Sequence, residues 1–285
     1  MFNLKRKQRT IKKDVTYKGN GLHSGLAVTM TMKPAKENSG IIFCRTDLPN
    51  TPKIPAHIKN VTDTHRATTL EKNGGKVFTV EHVLSALYAM HIDNCIIEMD
   101  SPEPPVGDGS ARTFVNMINE AGILTQNADI DIFELPQSVS FYDKNKFIVA
   151  IPYDGLRITF TSINPHPMLG TQILDITINP DSYDKEIASA RTIGFTKELE
   201  AMRKMGLGKG GTTENAVVYS ETECLSIPRF DDELVRHKIL DILGDISLVG
   251  PLHAHIIAVL GSHKLNAALS ERLQKLKTQI TEEQK

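Results

Sequence analysis

The segment "HKILDILGD" (237–245) constrains the fold of this chain more than any other stretch. A helix advances about 100° per residue, which gathers Val235, Ile239, Ile242, Ile246 and Val249 into one apolar stripe. His237, Asp241 and Asp245 recur at steps of four and share a second face about 120° away on the same wheel. Leu234 and Leu248 close the two ends of that second face, and Leu240 and Leu243 widen the main stripe. The helix is therefore apolar on more than one side, with a polar line where a core is expected. One reading is a His–Asp ion pair on a solvated face, worth a few tenths of a kcal/mol. The flanking leucines favour another, because buried polar groups need strong partners. A histidine nitrogen and a carboxylate oxygen one turn apart can converge on a cation such as Zn²⁺. Two ligands from one helix make half a site, so the remainder must come from another segment.

Around this helix the chain runs twice through strands first and helices later. In the first round "VTMTM" (28–32), "IIFCRTDL" (41–48) and "NCIIEM" (94–99) read as strands. "VEHVLSALYAMHI" (80–92) and "SARTFVNMINEAG" (110–122) read as helices, the latter with Ser110 as N-cap and Gly122 as stop. In the second round "FIVAIP" (147–152), "LRITFTSI" (156–163), "ILDITI" (173–178) and "AHIIAVL" (254–260) are the strands. Their helices are "TKELEAMRKMG" (196–206), the long helix over about 232–249, and "KLNAALSERLQKL" (264–276). Two α+β units are expected, joined near "ILTQNADIDI" (123–132), with a frayed tail at 281–285. No residue-level repeat relates the halves.

Composition narrows the function. The 285 residues are 40% hydrophobic and 24% charged, ordinary for a soluble globular protein. The net charge of −1 gives no global attraction for nucleic acid or an anionic membrane. The basic cluster "LKRKQRTIKK" (4–13) reads as a short solvated arm; no secretory h-region follows it, and no apolar run approaches membrane-spanning length. Three scattered cysteines, Cys44, Cys95 and Cys224, form neither a disulfide framework nor a metal motif, which suits the cytoplasm.

Candidates for the rest of the site follow from context. His82 opens an apolar helix directly after Glu81. Adjacent helical side chains diverge by about 100°, so Glu81 can border a cavity with His82 without sharing its ligand position. A carboxylate there can take a proton from water, the base role in zinc hydrolases, or it can merely favour the helix dipole. His263 follows a strand and opens a helix, where a capping role is the plain alternative. Asp245 could hold such a histidine by its second ring nitrogen. Thr192 in "SARTIGF" offers a hydroxyl to an oxyanion. His253 and His255 alternate on a strand and read as surface or packing residues; His23 lies in the turn "GNGLHSG" and stays unassigned with His57. The loop "GLGKGGTTEN" (206–215) departs from the phosphate-loop pattern because Gly210 follows Lys209, and it reads as a flexible turn.

These pieces, in this order and spacing, resemble the UDP-3-O-acyl-N-acetylglucosamine deacetylase family of lipid A synthesis. The similar stretches include "QRTIKK", "GNGLHSG", "GIIFCRTDL", "TVEHVLSALYAMHIDNCIIEMDSPEPPVGDGSARTFV", "SARTIGF", "RHKILDILGD" and "SHKLN". The chain departs from the family pattern at Ser262, where a glycine is usual, at "PPVGDGS", and at "THRATTL", which lacks a cysteine that some members carry. The resemblance implies His82, His237 and Asp241 as ligands of one catalytic Zn²⁺, Glu81 as general base, and His263 as the cationic histidine supported by Asp245. It further implies Thr192 at the oxyanion and Lys238 at the nucleotide-sugar. The implied fold is two similar α/β-sandwich domains, related to ribosomal protein S5 domain 2, at 1–127 and 128–285. The active site would lie at their interface, and an insert over about 196–222 would shape an acyl passage. The implied protein is a cytoplasmic, monomeric enzyme acting on a small UDP-acyl-sugar, with no nucleic acid and no transmembrane segment. A catalytically silent UDP-acyl-sugar binder on the same scaffold is the alternative.

Overall fold

The structure is a computed structural model that describes residues 4–283. The first half contains β1 (Lys5–Ile11), β2 (Val15–Asn20), β3 (Ala27–Pro34), β4 (Ile41–Arg45), β5 (Lys53–Pro55), β6 (Val61–Asp63), β7 (Thr69–Lys72), β8 (Gly75–Phe78), α1 (Glu81–Ala89), β9 (Cys95–Met99) and α2 (Arg112–Ala121). β10 (Ile123–Asp131) leads into β11 (Phe133–Glu134), β12 (Val139–Asp143), β13 (Lys146–Ile151), β14 (Leu156–Ile163), β15 (Thr171–Thr177) and the single turn α3 (Pro180–Ser182). The chain continues through β16 (Ile193–Phe195), α4 (Thr196–Lys204), β17 (Val217–Tyr219), α5 (Glu233–Ile246), β18 (Leu252–Val259) and α6 (His263–Glu283). The protein is α+β with several sheets, and no helix among the described residues is long and apolar enough to cross a membrane.

Two sheets share one pairing scheme. The first has the order β2-β3-β9-β4-β5, and the second follows the path β12-β13-β18-β14-β15 with β11 beside β18. Along each path the pairs are antiparallel, antiparallel, parallel and antiparallel. Pairing needs only alternation of apolar residues and turns of suitable length, so the scheme repeats where the residues do not. Val28, Met30 and Met32 of β3 and Ile256 and Ala258 of β18 are buried in the core, with α1, α5 and α6 supplying the facing side chains.

Four expectations need correction. The basic segment is strand β1, not a solvated arm, and it pairs antiparallel with β10. Cross-strand charges make this pairing favourable: Lys5 meets Asp131 at 3.3 Å and Lys7 meets Asp129 at 2.8 Å, while Arg6 donates twice to Asp93. Of the tail expected to fray, 281–283 are helical, because Leu276 and Ile280 continue the apolar register of Leu265, Leu269 and Leu273, and 284–285 lie outside the described residues. Ser110 does not cap α2 as N-cap; Ala111 holds that position, and the Ser110 hydroxyl accepts from Arg112 N at 3.1 Å. The loop after α4 is docked, since Lys209 N donates to His23 O and Gly210 N to Leu22 O, at 3.2 and 3.0 Å.

The feature that positions the site is a close approach of α1 to α5. A Cβ at Gly244 would lie 2.1 Å from the carbonyl oxygen of Glu81 and 2.7 Å from its Cα. Only a glycine lets the first turn of α1 rest on the face of α5 at that height. Gly244→Ala is therefore expected to destabilise the fold by about 1–3 kcal/mol through overpacking against backbone. Denaturant unfolding of wild-type and variant protein checks this; an unchanged midpoint would contradict the close approach.

Candidate active site

Contact between α1 and α5 brings three donors together. His82 comes from the first turn of α1, and His237 and Asp241 come from α5 one turn apart. All three are buried, and one ligand atom from each lies within 4.8 Å of the others. His237 Nε2 is 3.4 Å and His82 Nε2 4.0 Å from the same oxygen, Asp241 Oδ1. The histidine rings meet edge to face, with centroids 5.0 Å apart.

The donor chemistry fits a divalent cation. Burial lowers the pKa of His82 to about 3, helped by His237 nearby, and burial likewise lowers that of His237. Both imidazoles are thus neutral near pH 7, the form that offers a lone pair. His237 Nδ1 donates to the carbonyl of Ala190 at 3.0 Å, which leaves Nε2 as the free acceptor. Against the effect of burial, Lys238 and the histidines hold the Asp241 carboxyl well below the usual carboxylate range. Lys238 Nζ is 2.8 Å from Asp241 Oδ2, and its side chain is 31% exposed at the cavity rim.

Asp245, the third member of the line on α5, serves a separate unit. His263 Nδ1 donates to Asp245 Oδ2 at 2.8 Å, and Asn266 Nδ2 donates to the same oxygen at 2.8 Å. The Thr68 hydroxyl donates to Oδ1 at 2.5 Å. His263 Nε2 points towards Glu81, 3.9 Å from Oε1. Burial, opposed by the His263 charge and supported by Asp245 and Asp241, pushes the Glu81 carboxyl up to about 7. For His263 burial works against the charge, but Asp245 and Glu81 outweigh it and raise the pKa to about 10. A carboxyl and an imidazole, both with raised pKa, therefore face each other at 3.9 Å, the carboxyl next in sequence to the donor His82.

Glu81, His82, His237, Lys238, Asp241 and His263 line a cavity of about 750 Å³. Thr192 lines it as well, fixed by its N–H to the carbonyl of Gly109 at 2.9 Å. One wall is apolar, built from Leu22 and from Leu199, Met202, Leu207, Val218 and Leu225 of the segment after β16. Arg66 reaches across to α4 and pairs with Glu198 at 2.7 Å. The structure thus brings together His82, His237, Asp241, Glu81, His263, Asp245, Lys238 and Thr192. His253 and His255 stay on β18, where Gly155 N donates to His253 and Thr159 pairs with His255. His57 caps a 3₁₀ turn, and His23 and His65 line the cavity.

Several participants were not legible beforehand. Thr68 donates its N–H to Glu81 Oε2 at 3.0 Å as well as its hydroxyl to Asp245. Glu103, wholly buried, accepts from His23 N, Ser24 N, Ser24 Oγ and Thr79 Oγ1 at 2.6–2.9 Å, and so fixes both the His23 loop and the entry to α1. The buried pair Arg191–Glu233, at 2.9 Å, ties the segment carrying Ala190 and Thr192 to the first turn of α5. Gly244 alone carried a signal: a glycine inside a helix costs about 1 kcal/mol relative to alanine, so a packing reason is expected.

The sequence matches the family described as UDP-3-O-acyl N-acetylglycosamine deacetylase over residues 8–275. Among curated relatives, a UDP-3-O-acyl-N-acetylglucosamine deacetylase of Chlamydia caviae is 44% identical over 274 residues, covering 95% of this chain and 98% of the relative. The protein of the same name from Chlamydia abortus is also 44% identical over 274 residues, with 95% and 98% covered. The one from Myxococcus xanthus is 42% identical over 269 residues, covering 93% of this chain and 86% of the relative.

The donor geometry predicts a single tight site for a divalent transition-metal ion. His82→Ala or His237→Ala should weaken binding of Co²⁺ or Zn²⁺ by at least about tenfold, judged against the effect typical of outer-shell changes alone. Metal titration followed by calorimetry measures this, and unaltered affinity in both variants would remove these residues from the ligand set.

Proposed function

The chain belongs to the UDP-3-O-acyl N-acetylglycosamine deacetylase family, and from that premise we propose how its own residues divide the reaction. The chain hydrolyses the N-acetyl group of UDP-3-O-acyl-N-acetylglucosamine to the free amine and acetate, the committed step of lipid A synthesis. His82, His237 and Asp241 hold one Zn²⁺. That ion, when bound, supplies Lewis acidity that lowers the pKa of water to about 7 and polarises the acetamide carbonyl.

Glu81 takes the proton of the attacking water. Its raised pKa, its burial and its place beside the donor cluster support that role. His263 stays protonated because Asp245 accepts its Nδ1 proton and compensates its charge. Its Nε2 proton faces the oxygen that becomes negative as water adds to the carbonyl carbon, where preorganised charge acts most strongly. The same proton passes to the departing amine as the C–N bond breaks. Thr192 supplies a further hydroxyl to the developing oxyanion, and Lys238 at the rim meets the anionic nucleotide-sugar. The segment 196–222 supplies most of the apolar wall and receives the acyl chain; Leu199, Met202, Leu207 and Val218 support this reading.

The observation that carries the assignment is the facing pair Glu81–His263 set directly beside the His82–His237–Asp241 cluster. A silent UDP-acyl-sugar binder would be recognised by a missing ligand or base, and all five side chains are present and mutually placed. We further read the chain as two α+β domains, 1–127 and 128–285, with the site between them; the shared pairing scheme of the two main sheets supports this. A monomeric cytoplasmic enzyme completes the proposal.

Acetate release from UDP-3-O-acyl-N-acetylglucosamine tests it. Glu81→Gln should lower kcat by about 10²–10⁴-fold while zinc remains bound. Activity should rise as Glu81 loses its proton, below the pKa of about 7 that burial gives it once a cation adds its charge, and fall as His263 loses its own below about 10. His263→Gln should abolish the high-pH fall. Full activity of Glu81→Gln, or turnover that survives chelation and does not respond to zinc, would overturn the assignment.

A further inference from the structure

Two buried carboxylates with opposed duties sit close together in this site. Glu81 lies on α1 and Asp245 on α5, and the Asp245 charge is among those that make ionisation of Glu81 harder. Among the described residues neither pairs with an arginine or lysine; what stands between them is Thr68, 1% exposed, at the entry to β7. Its N–H donates to Glu81 Oε2 at 3.0 Å, and its hydroxyl donates to Asp245 Oδ1 at 2.5 Å. A hydroxyl carries one proton, and Asp245 as a carboxylate can only accept, so the direction of that bond is fixed. The second Asp245 oxygen already accepts from His263 and Asn266. Thr68 therefore completes the acceptors of Asp245 and holds its carboxylate plane, which in turn sets the ring of His263. Its 3.5 Å distance from His263 Nδ1 leaves the Asp245 bond, at 2.8 Å, as the ring's principal tie.

Resting on the base and acid roles proposed above, we propose that Thr68 is a positioning residue that holds Glu81 and the Asp245–His263 pair in register, one donor to each. It comes from neither helix, so it fixes their relative placement across the cavity. It lies between the two acceptors as a neutral group and adds no charge to the site. Without the hydroxyl, Asp245 Oδ1 is left buried without that donor and the carboxylate is free to turn. The His263 Nε2 proton then loses its fixed line towards Glu81, now 3.9 Å away, and towards the reacting oxygen. The backbone N–H survives any side-chain change, so a substitution of Thr68 isolates the Asp245 tie.

Thr68→Val keeps the shape and removes the hydroxyl; Thr68→Ser keeps the hydroxyl, and Thr68→Ala stands in if the valine protein does not fold. Each is assayed for turnover and, in the metal-free protein labelled with ¹⁵N-histidine, for the low-field proton resonance of His263 Nδ1–H. The valine form should lose about 10- to 100-fold in kcat, as expected for a hydrogen bond to a charged group, with KM within about threefold. Its Nδ1–H resonance should shift, and the serine form should restore both. An unmoved resonance, or a valine form with wild-type kcat, overturns the inference. A wild-type protein that shows the resonance behaviour but releases no acetate overturns the deacetylase reading instead and leaves the positioning role standing.

Discussion

The carbonyl oxygen of Glu81 lies 2.1 Å from the place a side chain at position 244 would occupy. That approach of backbone to helix face sets the level at which α1 meets α5, and the chemistry depends on the level. One residue of α1 beyond the contact is His82, which must reach the oxygen of Asp241 that His237 also faces. A larger residue at 244 would separate the helices where their side chains need to converge. The apolar stripes of both helices supply the driving force, since Val83, Leu84, Ile239, Ile242 and Ile246 are all buried. They do not define the level; the glycine does.

Charge is then arranged on this frame with little water to screen it. Glu81, Asp241 and Asp245 are buried carboxylates within one small volume. Each has its own compensation: Lys238 for Asp241, His263 for Asp245, and Thr68 N–H with the facing His263 for Glu81. The separation lets Glu81 and Asp241 differ in their readiness to hold a proton, which acid–base chemistry near neutral pH requires. The polar line 237–241–245 is thus two units on one helix, a pair that converges with His82 and a carboxylate that holds His263.

The sequence made the strands, the main helices and the polar line legible, because period-two and period-3.6 patterns report burial directly. It also exposed His237, Asp241 and Asp245, through the leucines beside them. Glu81, His82 and His263 were only candidates by pattern, and the family resemblance grouped them. What stayed hidden depends on pairs distant along the chain. Thr68 reaches Asp245 across 177 positions, and the strand pairing of the basic segment joins residues about as far apart as the halves of the protein. The Glu103 clamp was hidden for another reason: two of its four donors are backbone N–H groups, which every residue but proline has. The shared pairing scheme of the two sheets leaves no residue-level trace because alternation and turn length alone maintain it.

The proposed reaction requires one zinc ion among His82, His237 and Asp241, with Glu81 next to it and outside its ligand set. Anomalous diffraction at the zinc edge from crystals of the zinc-loaded protein tests this most directly. The account predicts one strong peak bonded to two histidine nitrogens and one Asp241 oxygen, at about 2.0–2.2 Å, with the Glu81 carboxylate not among the ligands. A peak elsewhere, or one that recruits Glu81 in place of any of the three, would contradict it.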